Sequence, residues 1–422
     1  MNFQLIGVNH NSAPVEVRER LAIPEQRLPD AIRTLVQQPG VEEGMVLSTC
    51  NRVELLTSSK QGTDVRGFLP TYFGINPESL NSHIYEFRQQ DAVRHVFRVA
   101  SSLDSMVVGE PQILGQVKEA YAIARGLGAV HSALDFLLSR AFAVAKRVRS
   151  ETAIGSSNVS VSSVAVQLAE KIFGSLKGTT VYMVGAGKMA ELAARRLMAN
   201  GVSAIFFSNR THERALQLAE AFGGEAVPFE RLYETADRAD IVLTSTGAAE
   251  FLFQRQHGER FLARRRNRPM FFIDISVPRN IDPEVNRLDG MFVYDIDDLQ
   301  AVAAGNTAER QREAERAEQI VQAEVERFAA RLKSLAVVPT ILSLQEQCET
   351  IRQAEMDRIR GKLGNITPDQ EAAIDAMTRG IVNKLLHTPI TTLKSSVAEP
   401  EAASIHDIIR RIFNLNSGKP TK

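Results

Sequence analysis

Tryptophan is absent from this chain, and cysteine occurs only twice in 422 residues. Two thiols make no disulfide framework, so the fold must rest on buried apolar surface and suits a reducing compartment. An excess of one charge is also missing, since Lys plus Arg number 50 and Asp plus Glu number 50. That balance gives no bulk attraction to nucleic acid, although a local basic patch would suffice for binding. No stretch approaches the roughly 20 apolar residues that cross a bilayer. The opening Met1-Asn2-Phe3-Gln4-Leu5-Ile6-Gly7 lacks the basic segment and long apolar run of a secretory leader. A cytoplasmic location is therefore expected. No cluster of His, Cys and acidic residues has ligand spacing, so no metal is expected. What is present is 44% hydrophobic residues in a chain too long for one ordinary domain, and two or three domains are expected.

The most reactive-looking stretch is Leu47-Ser48-Thr49-Cys50-Asn51-Arg52-Val53-Glu54. An apolar run precedes it and an alternating run follows, which predicts strand, polar loop, strand. A thiol beside a cation is placed to react, because the thiolate is the nucleophile. The competing reading is a small hydrophobe at a strand end. Around this loop, residues 3–8 read as a strand, 24–38 as a helix, 83–87 as a strand and 89–103 as a helix. Together they predict a compact α+β domain. His95 lies among Val93, Val96, Phe97 and Val99, at the margin of a packed face, yet histidine is the commonest acid/base group. His10, on the polar loop Asn9–Pro14, is its rival.

The stretch Ser101–Lys118 contains Gly109-Glu110-Pro111-Gln112. Gly109 permits a tight turn, and Glu110 and Pro111 suit the first turn of a helix. Gln112 and Gln116 are four apart and share one helical face, which fits either a polar substrate wall or a solvated surface. Residues 131–150 predict a helix with a basic end at Lys146, Arg147 and Arg149. The serine-rich stretch 155–163 reads as a domain boundary and hinge.

Beyond it, Thr180–Val184 reads as a buried strand, followed at once by Gly185-Ala186-Gly187-Lys188-Met189-Ala190 and a helix closed by Gly201. This is the G-x-G-x-x-A pattern in the strand–turn–helix setting that it requires. Its glycines let the backbone approach a pyrophosphate, and the helix start supplies N–H donors. The next strand, 204–208, ends in Ser208-Asn209-Arg210-Thr211. The acid that usually meets an NAD ribose is missing and a guanidinium is present, which predicts NADPH. Strands near 225–227, 240–245 and 270–275 extend a parallel sheet, and Thr244-Ser245-Thr246-Gly247 is expected to border the nicotinamide. Arg264-Arg265-Arg266 with Arg268 reads as a solvated loop.

From about Asp297 the pattern turns helical. Residues 306–334 contain no Gly or Pro, and Val321, Val325, Phe328, Leu332 and Leu335 form a coiled-coil-like seam. Such a helix is roughly 45 Å long, and Pro339 breaks or kinks it. Three further amphipathic patterns follow, with Cys348 read as packing. Dimerisation is the natural way to bury their apolar faces. The tail after Asn414 is expected to be disordered. The fold class is thus an α/β multidomain chain: an α+β catalytic domain over 1–155, a Rossmann-type domain over 156–297, and a long helix with an all-α domain over 298–422.

Ser-Thr-Cys-Asn-Arg-Val-Glu at 48–54, Gly-Glu-Pro-Gln-Ile-Leu-Gly-Gln at 109–116, Gly-Ala-Gly-Lys-Met-Ala at 185–190 and the helical C-terminal part together resemble glutamyl-tRNA reductase. The resemblance covers nearly the whole chain. It implies a V-shaped homodimer with a spinal helix, and NADPH-dependent reduction of glutamyl-tRNA to glutamate 1-semialdehyde through a cysteinyl thioester. That reaction is the first committed step of tetrapyrrole synthesis by the five-carbon route. The resemblance assigns Cys50 as nucleophile and Thr49, Asn51, Arg52, Ser105, Glu110, Pro111, Gln112 and Gln116 to the substrate, with Arg52 the best partner for its side-chain carboxylate. It gives His95 a role in full activity, and Gly185, Ala186, Gly187, Lys188, Met189 and Ala190 the nucleotide. A transient complex with the next enzyme, glutamate-1-semialdehyde aminomutase, is a further implied partner. A shikimate-type dehydrogenase would share Asn209-Arg210-Thr211 but leaves the cysteine loop and helical part unexplained. A non-catalytic RNA-binding scaffold that senses NADPH is the alternative from another class.

Overall fold

The computed structural model describes residues 1–60, 62–156, 161–303, 308–364, 367–395 and 402–415. They divide into two compact units, Met1–Gln322 and Ala323–Lys422.

The first unit opens with an antiparallel sheet. Strand β1 (Asn2–Asn9) is followed by helices α1 (Val15–Leu21) and α2 (Leu28–Val36), then by β2 (Glu43–Ser48) and β3 (Arg52–Ser59). The helix expected over 24–38 therefore starts late, after a 3-10 turn at Glu25–Arg27. Two short helices, α3 (Phe68–Phe73) and α4 (Pro77–Asn81), lead to β4 (Tyr85–Arg88), and the strand order is β2-β3-β1-β4. Helices α5 (Gln89–Ala100), α6 (Gln112–Gly126) and α7 (Ala133–Glu151) complete this part. Pro111 caps α6, so Glu110 stands just outside the helix rather than in its first turn.

The serine-rich stretch is only partly a linker. Residues 157–160 lie outside the described residues, but helix α8 (Val161–Phe173) already holds Ser162 and Ser163, both buried. Val161, Val164, Ala165 and Leu168 supply an apolar helical face that outweighs the weak propensity of the serines.

The parallel part then runs β5 (Thr180–Val184), α9 (Lys188–Ala199), β6 (Ala204–Ser208), α10 (His212–Phe222), β7 (Glu225–Ala226), α11 (Leu232–Thr235), β8 (Ile241–Thr244), α12 (Arg255–Arg264), β9 (Met270–Asp274) and β10 (Met291–Tyr294). The sheet order is β10-β9-β8-β5-β6-β7, every pair parallel. That is the doubly wound order, with its switch point between β5 and β8. Alternate residues feed opposite cores: Val181 and Met183 join one cluster, Tyr182 and Val184 the other. Arg265, expected in a solvated loop, is instead buried and bonds Asp240 at 2.9 Å and the Ala239 carbonyl at 2.7 Å.

The two halves of this unit share a core. Val15, Met106 and Val107 pack in the same cluster as α8 and helix α13 (Ile296–Ala303). Ion pairs stitch the seam. Arg279, on the loop after β9, meets Glu16 and Glu19 of α1 at 2.8 and 2.9 Å. Arg18 pairs with Asp297 of α13, whose other oxygen accepts from Val15 N at 3.0 Å.

Helix α14 (Ala308–Ala336) begins in the first unit, where Glu318 pairs with Arg98 of α5 at 2.7 Å. Along it Val321, Val325 and Phe328 are buried. In the second unit, α15 (Val338–Arg360) starts afresh with Pro339 in its first turn, then come α16 (Pro368–Ser395) and α17 (Ala402–Ile412). Leu344, Leu386, Leu393 and Ile409 form its core, with Cys348 packed against them. Met377, Ile381, Leu385 and Ile412 remain more than half exposed. Residues 416–422 lie outside the described residues. No helix among the described residues is long and apolar enough to cross a membrane.

Candidate active site

Strands β2 and β3 pair up to Ser48 and Val53, and Thr49 N–H donates to the Arg52 carbonyl at 2.8 Å. Cys50 and Asn51 are thereby the two tip residues of a tight hairpin. Thr49 Oγ1 accepts from Asn51 N and Arg52 N, both at 3.2 Å, and so braces the tip. Cys50 is half-buried and packs against the core shared with the parallel part. Burial and then the Glu110 carboxylate push its thiol up to about 12, against the opposing pull of Arg18 and Arg52.

Arg52 lies one step down β3, buried. Its Nη1 donates to Glu54 at 2.8 Å and Asp104 at 3.1 Å, and its Nη2 donates to the Asp104 carbonyl. The guanidinium reserved for a substrate carboxylate thus already faces two carboxylates of the protein. Glu54 is the hub. Tyr85 OH reaches its Oε1 at 2.6 Å and His95 Nε2 at 2.7 Å. A carboxylate only accepts, so Nε2 carries the hydrogen. Burial alone would raise the Glu54 carboxyl, but Arg52 and the bonds from His95 and Tyr85 hold it well below the usual range. His95 is 4% exposed and stacks on Phe87 at 4.7 Å. Its ring nitrogen meets Glu54, which in turn pairs with Arg52.

His10 takes the opposite arrangement. Its backbone N–H donates to the Asn51 carbonyl at 3.0 Å, beside Cys50. Its Nδ1 is buried without a hydrogen-bond partner. Burial, then Arg52, lower it to about 4, with Arg18 pulling the same way and Asp104 opposing. Arg18 itself donates to the Cys50 carbonyl at 2.8 Å and to Asn51 Oδ1 at 3.3 Å.

The loop from Ser102 to Glu110 closes the other side. Ser102 adopts φ +62°, its carbonyl accepts from Gly109 N and its hydroxyl donates to the Glu110 carbonyl at 2.7 Å. Gly109 has φ +90°, and a Cβ there would lie 2.5 Å from the Ile154 carbonyl oxygen, so only glycine fits. This loop carries Asp104, Ser105 and Glu110. Ser105 Oγ and Gln112 Nε2 are buried without a hydrogen-bond partner among the described residues. Gln116, one turn on, is half-buried on the same face, and Pro111 is exposed. Burial pushes the Glu110 carboxyl up to about 7, against a hydrogen bond from Val161 N–H and the charge of Arg52.

The dinucleotide motif lies at the switch point. Gly185 has φ +110°, and a Cβ on it would fall 2.1 Å from the Ser245 carbonyl oxygen. Ala186 and Gly187 follow before Lys188 opens α9, where Met189 and the buried Ala190 pack on α8. A cavity of about 380 Å³ is lined by Gly185, Asn209, Arg210, Thr211, Arg214 and Gln26, among others. Ser208 is buried at the end of β6. The cradle beside this cavity fits a dinucleotide, and among the lining residues are two arginines and no acid.

Sequence reasoning gave no role to Glu54, Asp104, Arg18, Arg214 or Gln26. Glu54 was within reach, since residues two apart on a strand share a face and Arg52 is its neighbour. Arg214 was also within reach, four residues after Arg210 in the first turn of α10. Asp104, Arg18 and Gln26 meet their partners only through tertiary contacts.

A doubly wound dinucleotide fold with a thiol hairpin against its core defines a nicotinamide-dependent oxidoreductase. Three domain families match the chain in order: "Glutamyl-tRNAGlu reductase, N-terminal domain" over 6–152, "Shikimate / quinate 5-dehydrogenase" over 167–302 and "Glutamyl-tRNAGlu reductase, dimerisation domain" over 316–415. A glutamyl-tRNA reductase 2 of Koribacter versatilis is 62% identical over 99% of this chain and 96% of its own. The glutamyl-tRNA reductase of Solibacter usitatus is 50% identical over 98% and 100%. The solved glutamyl-tRNA reductase of Methanopyrus kandleri aligns with TM-score 0.51 and 32% identity, covering 98% of this chain and 99% of that one. The chain belongs to the glutamyl-tRNA reductase family. The likeness to shikimate dehydrogenases is confined to the dinucleotide-binding part.

Proposed function

We infer that this chain performs its family's reaction, reduction of glutamyl-tRNA to glutamate 1-semialdehyde with release of tRNA, through a thioester on Cys50. The reaction opens tetrapyrrole synthesis by the five-carbon route. The observation that carries the thioester reading is the hairpin tip, where Arg18 holds the Cys50 carbonyl at 2.8 Å and Cys50 packs on the core that both halves of the unit share.

Attack by sulfur on the activated ester releases the tRNA and leaves an acyl group that accepts hydride more readily than an ester, so one hard step becomes two. When bound, the reduced nicotinamide supplies that hydride. Thr49 and Arg18 keep the tip in place. Asn51, Ser105, Gln112 and Gln116, with Glu110 and Pro111 at the loop end, hold the glutamyl group; the unpartnered atoms of Ser105 and Gln112 support this. Arg52 is the partner assigned to the substrate carboxylate, which would share the guanidinium with Glu54 and Asp104, and His95 keeps Arg52 aligned through Glu54. Gly185 to Ala190 hold the pyrophosphate. Ser208 to Thr211 hold the adenosine end, with Arg210 favouring NADPH over NADH.

The boundaries 1–155, 156–297 and 298–422 are part of this reading. So is the cytoplasm as location, where charged tRNA is found. The dimerisation domain supports a homodimer. A reactive aldehyde product favours direct handover, which argues for a transient complex with glutamate-1-semialdehyde aminomutase.

Incubation with glutamyl-tRNA and no reductant should add one glutamyl mass to the peptide containing Cys50, and that adduct should hydrolyse slowly. Cys50→Ser should lose both the adduct and semialdehyde formation. A Cys50→Ser enzyme with full reductase activity would sink the reading.

A further inference from the structure

The cavity beside the glycine turn has a second wall, Thr246-Gly247-Ala248, where the chain leaves β8. Thr246 is gripped from two sides. A Cβ built on Gly185 would fall 3.1 Å from the Thr246 methyl, so that methyl lies against the glycine turn. The Thr246 hydroxyl donates to Asn280 Oδ1 at 2.6 Å and accepts from Ala248 N at 3.1 Å. Asn280, on the loop after β9, is fully buried. Its Oδ1 also accepts from Ser276 Oγ at 2.8 Å, and that oxygen in turn accepts from Thr246 N at 3.1 Å. Its Nδ2 donates to the carbonyls of Ala248 and Pro278 at 3.3 and 3.4 Å. Both acceptor and both donor capacities of the amide are thereby used. The loop itself is held by other groups. Asp274 accepts from Asn280 N at 2.6 Å and Ile281 N at 2.9 Å, and the Asn280 carbonyl accepts from Leu252 N and Phe253 N at 2.7 and 3.0 Å. Arg279 anchors the same loop on Glu16 and Glu19. With the backbone so fixed, the Asn280 amide is left to hold Thr246 and Ala248.

We propose that Asn280 is a positioning residue for the dinucleotide, holding the Thr246–Ala248 wall at the spacing from the glycine turn that the cofactor needs. The proposal rests on the reading of this cavity as the dinucleotide seat. Asn280 is too deeply buried to touch the cofactor, so it acts through Thr246 and Ala248. Without the amide, the Thr246 hydroxyl loses its acceptor and the Ala248 carbonyl loses a donor. The wall is then free to shift, and a dinucleotide has to order it on binding, which costs affinity. An aspartate at 280 would not serve, because its second oxygen would face two carbonyls with no hydrogen to give. The competing role is general support of the fold, in which the variant unfolds more easily but the folded protein binds as before.

Fluorescence titration of the full chain with NADPH, run beside urea unfolding, separates the two. Asn280→Ala should weaken NADPH binding about 5- to 10-fold, the scale of a lost neutral hydrogen bond. Thr246→Val keeps a methyl for Gly185 but has no hydroxyl for Asn280, and it should lose the same factor. Thr246→Ser keeps the hydroxyl and should bind within about twofold of wild type, the difference being less than one hydrogen bond. Asn280→Ala combined with Thr246→Val should bind no more weakly than the worse single variant, because the two side chains act as one unit. Should Asn280→Ala fail to fold, the two Thr246 variants decide alone. Wild-type affinity in folded Thr246→Val or Asn280→Ala, with only the urea midpoint lowered, would overturn the proposal and leave Asn280 a support of the fold. Thr246→Ser as weak as Thr246→Val would also overturn it, and so would additive losses in the double variant. A wild type that binds neither NADPH nor NADH would overturn the reading of the cavity and this proposal with it.

Discussion

Glu54 shows how much one side chain arranges. It accepts from Arg52, Tyr85 and His95 at once, inside the sheet domain. Glu54→Gln leaves Arg52 buried with half its compensation, so the variant should lose about 3–5 kcal/mol of stability at pH 7. Because the folded carboxyl is held below its ordinary 4.5, that contribution is present in full above pH ~4.5 and fades as the pH falls below it. Urea unfolding of wild type and Glu54→Gln should therefore converge in acid, and equal midpoints at pH 7 would refute the hub. The reactive thiol and its arginine were legible from Thr49-Cys50-Asn51-Arg52, because residue type and strand alternation speak locally. The bond that ties His95 to Glu54 was not, since it joins α5 to β3 across the domain. Sequence therefore named the histidine but not the atom it serves.

At the scale of elements, the dinucleotide fold was the most legible part. Its strand, glycine turn and helix follow one another without interruption, and β5 matches its expected bounds. The last strand, β10, and helix α8 went unread. The four residues of β10 are too short to show a period, and α8 hides its apolar face among serines. Arg210, just before α10, and Arg214, in its first turn, line the same cavity. Loss of a charge-assisted contact costs about 1.5–3 kcal/mol. Arg210→Ala should thus weaken NADPH binding about 10- to 150-fold while NADH binding stays within twofold, as read by fluorescence titration. Equal losses for both dinucleotides would remove Arg210 from phosphate recognition.

At the scale of the whole chain, chemistry is shared across a seam. Arg18 holds the Cys50 carbonyl with one nitrogen and Asp297 with another, so the exit of the dinucleotide-binding part reaches the nucleophile loop. Any swing of that part must part Arg18 from Asp297 and Arg279 from Glu16 and Glu19. Asp297→Asn should slow acylation of Cys50 yet leave dinucleotide affinity unchanged, measured by rapid-quench acylation without reductant and the same titration. Unaltered acylation would confine Asp297 to a scaffold role. None of the ties that cross the seam was visible in the sequence, because their partners lie 260 to 279 residues apart.

The exposed Met377, Ile381, Leu385 and Ile412 come late in chain order, after both parts that handle the acyl group and the dinucleotide. Domains fold from the N-terminus as they leave the ribosome. The adhesive surface therefore emerges only once the earlier segments have had time to close, and nascent chains on one message are spared from sticking together half-made.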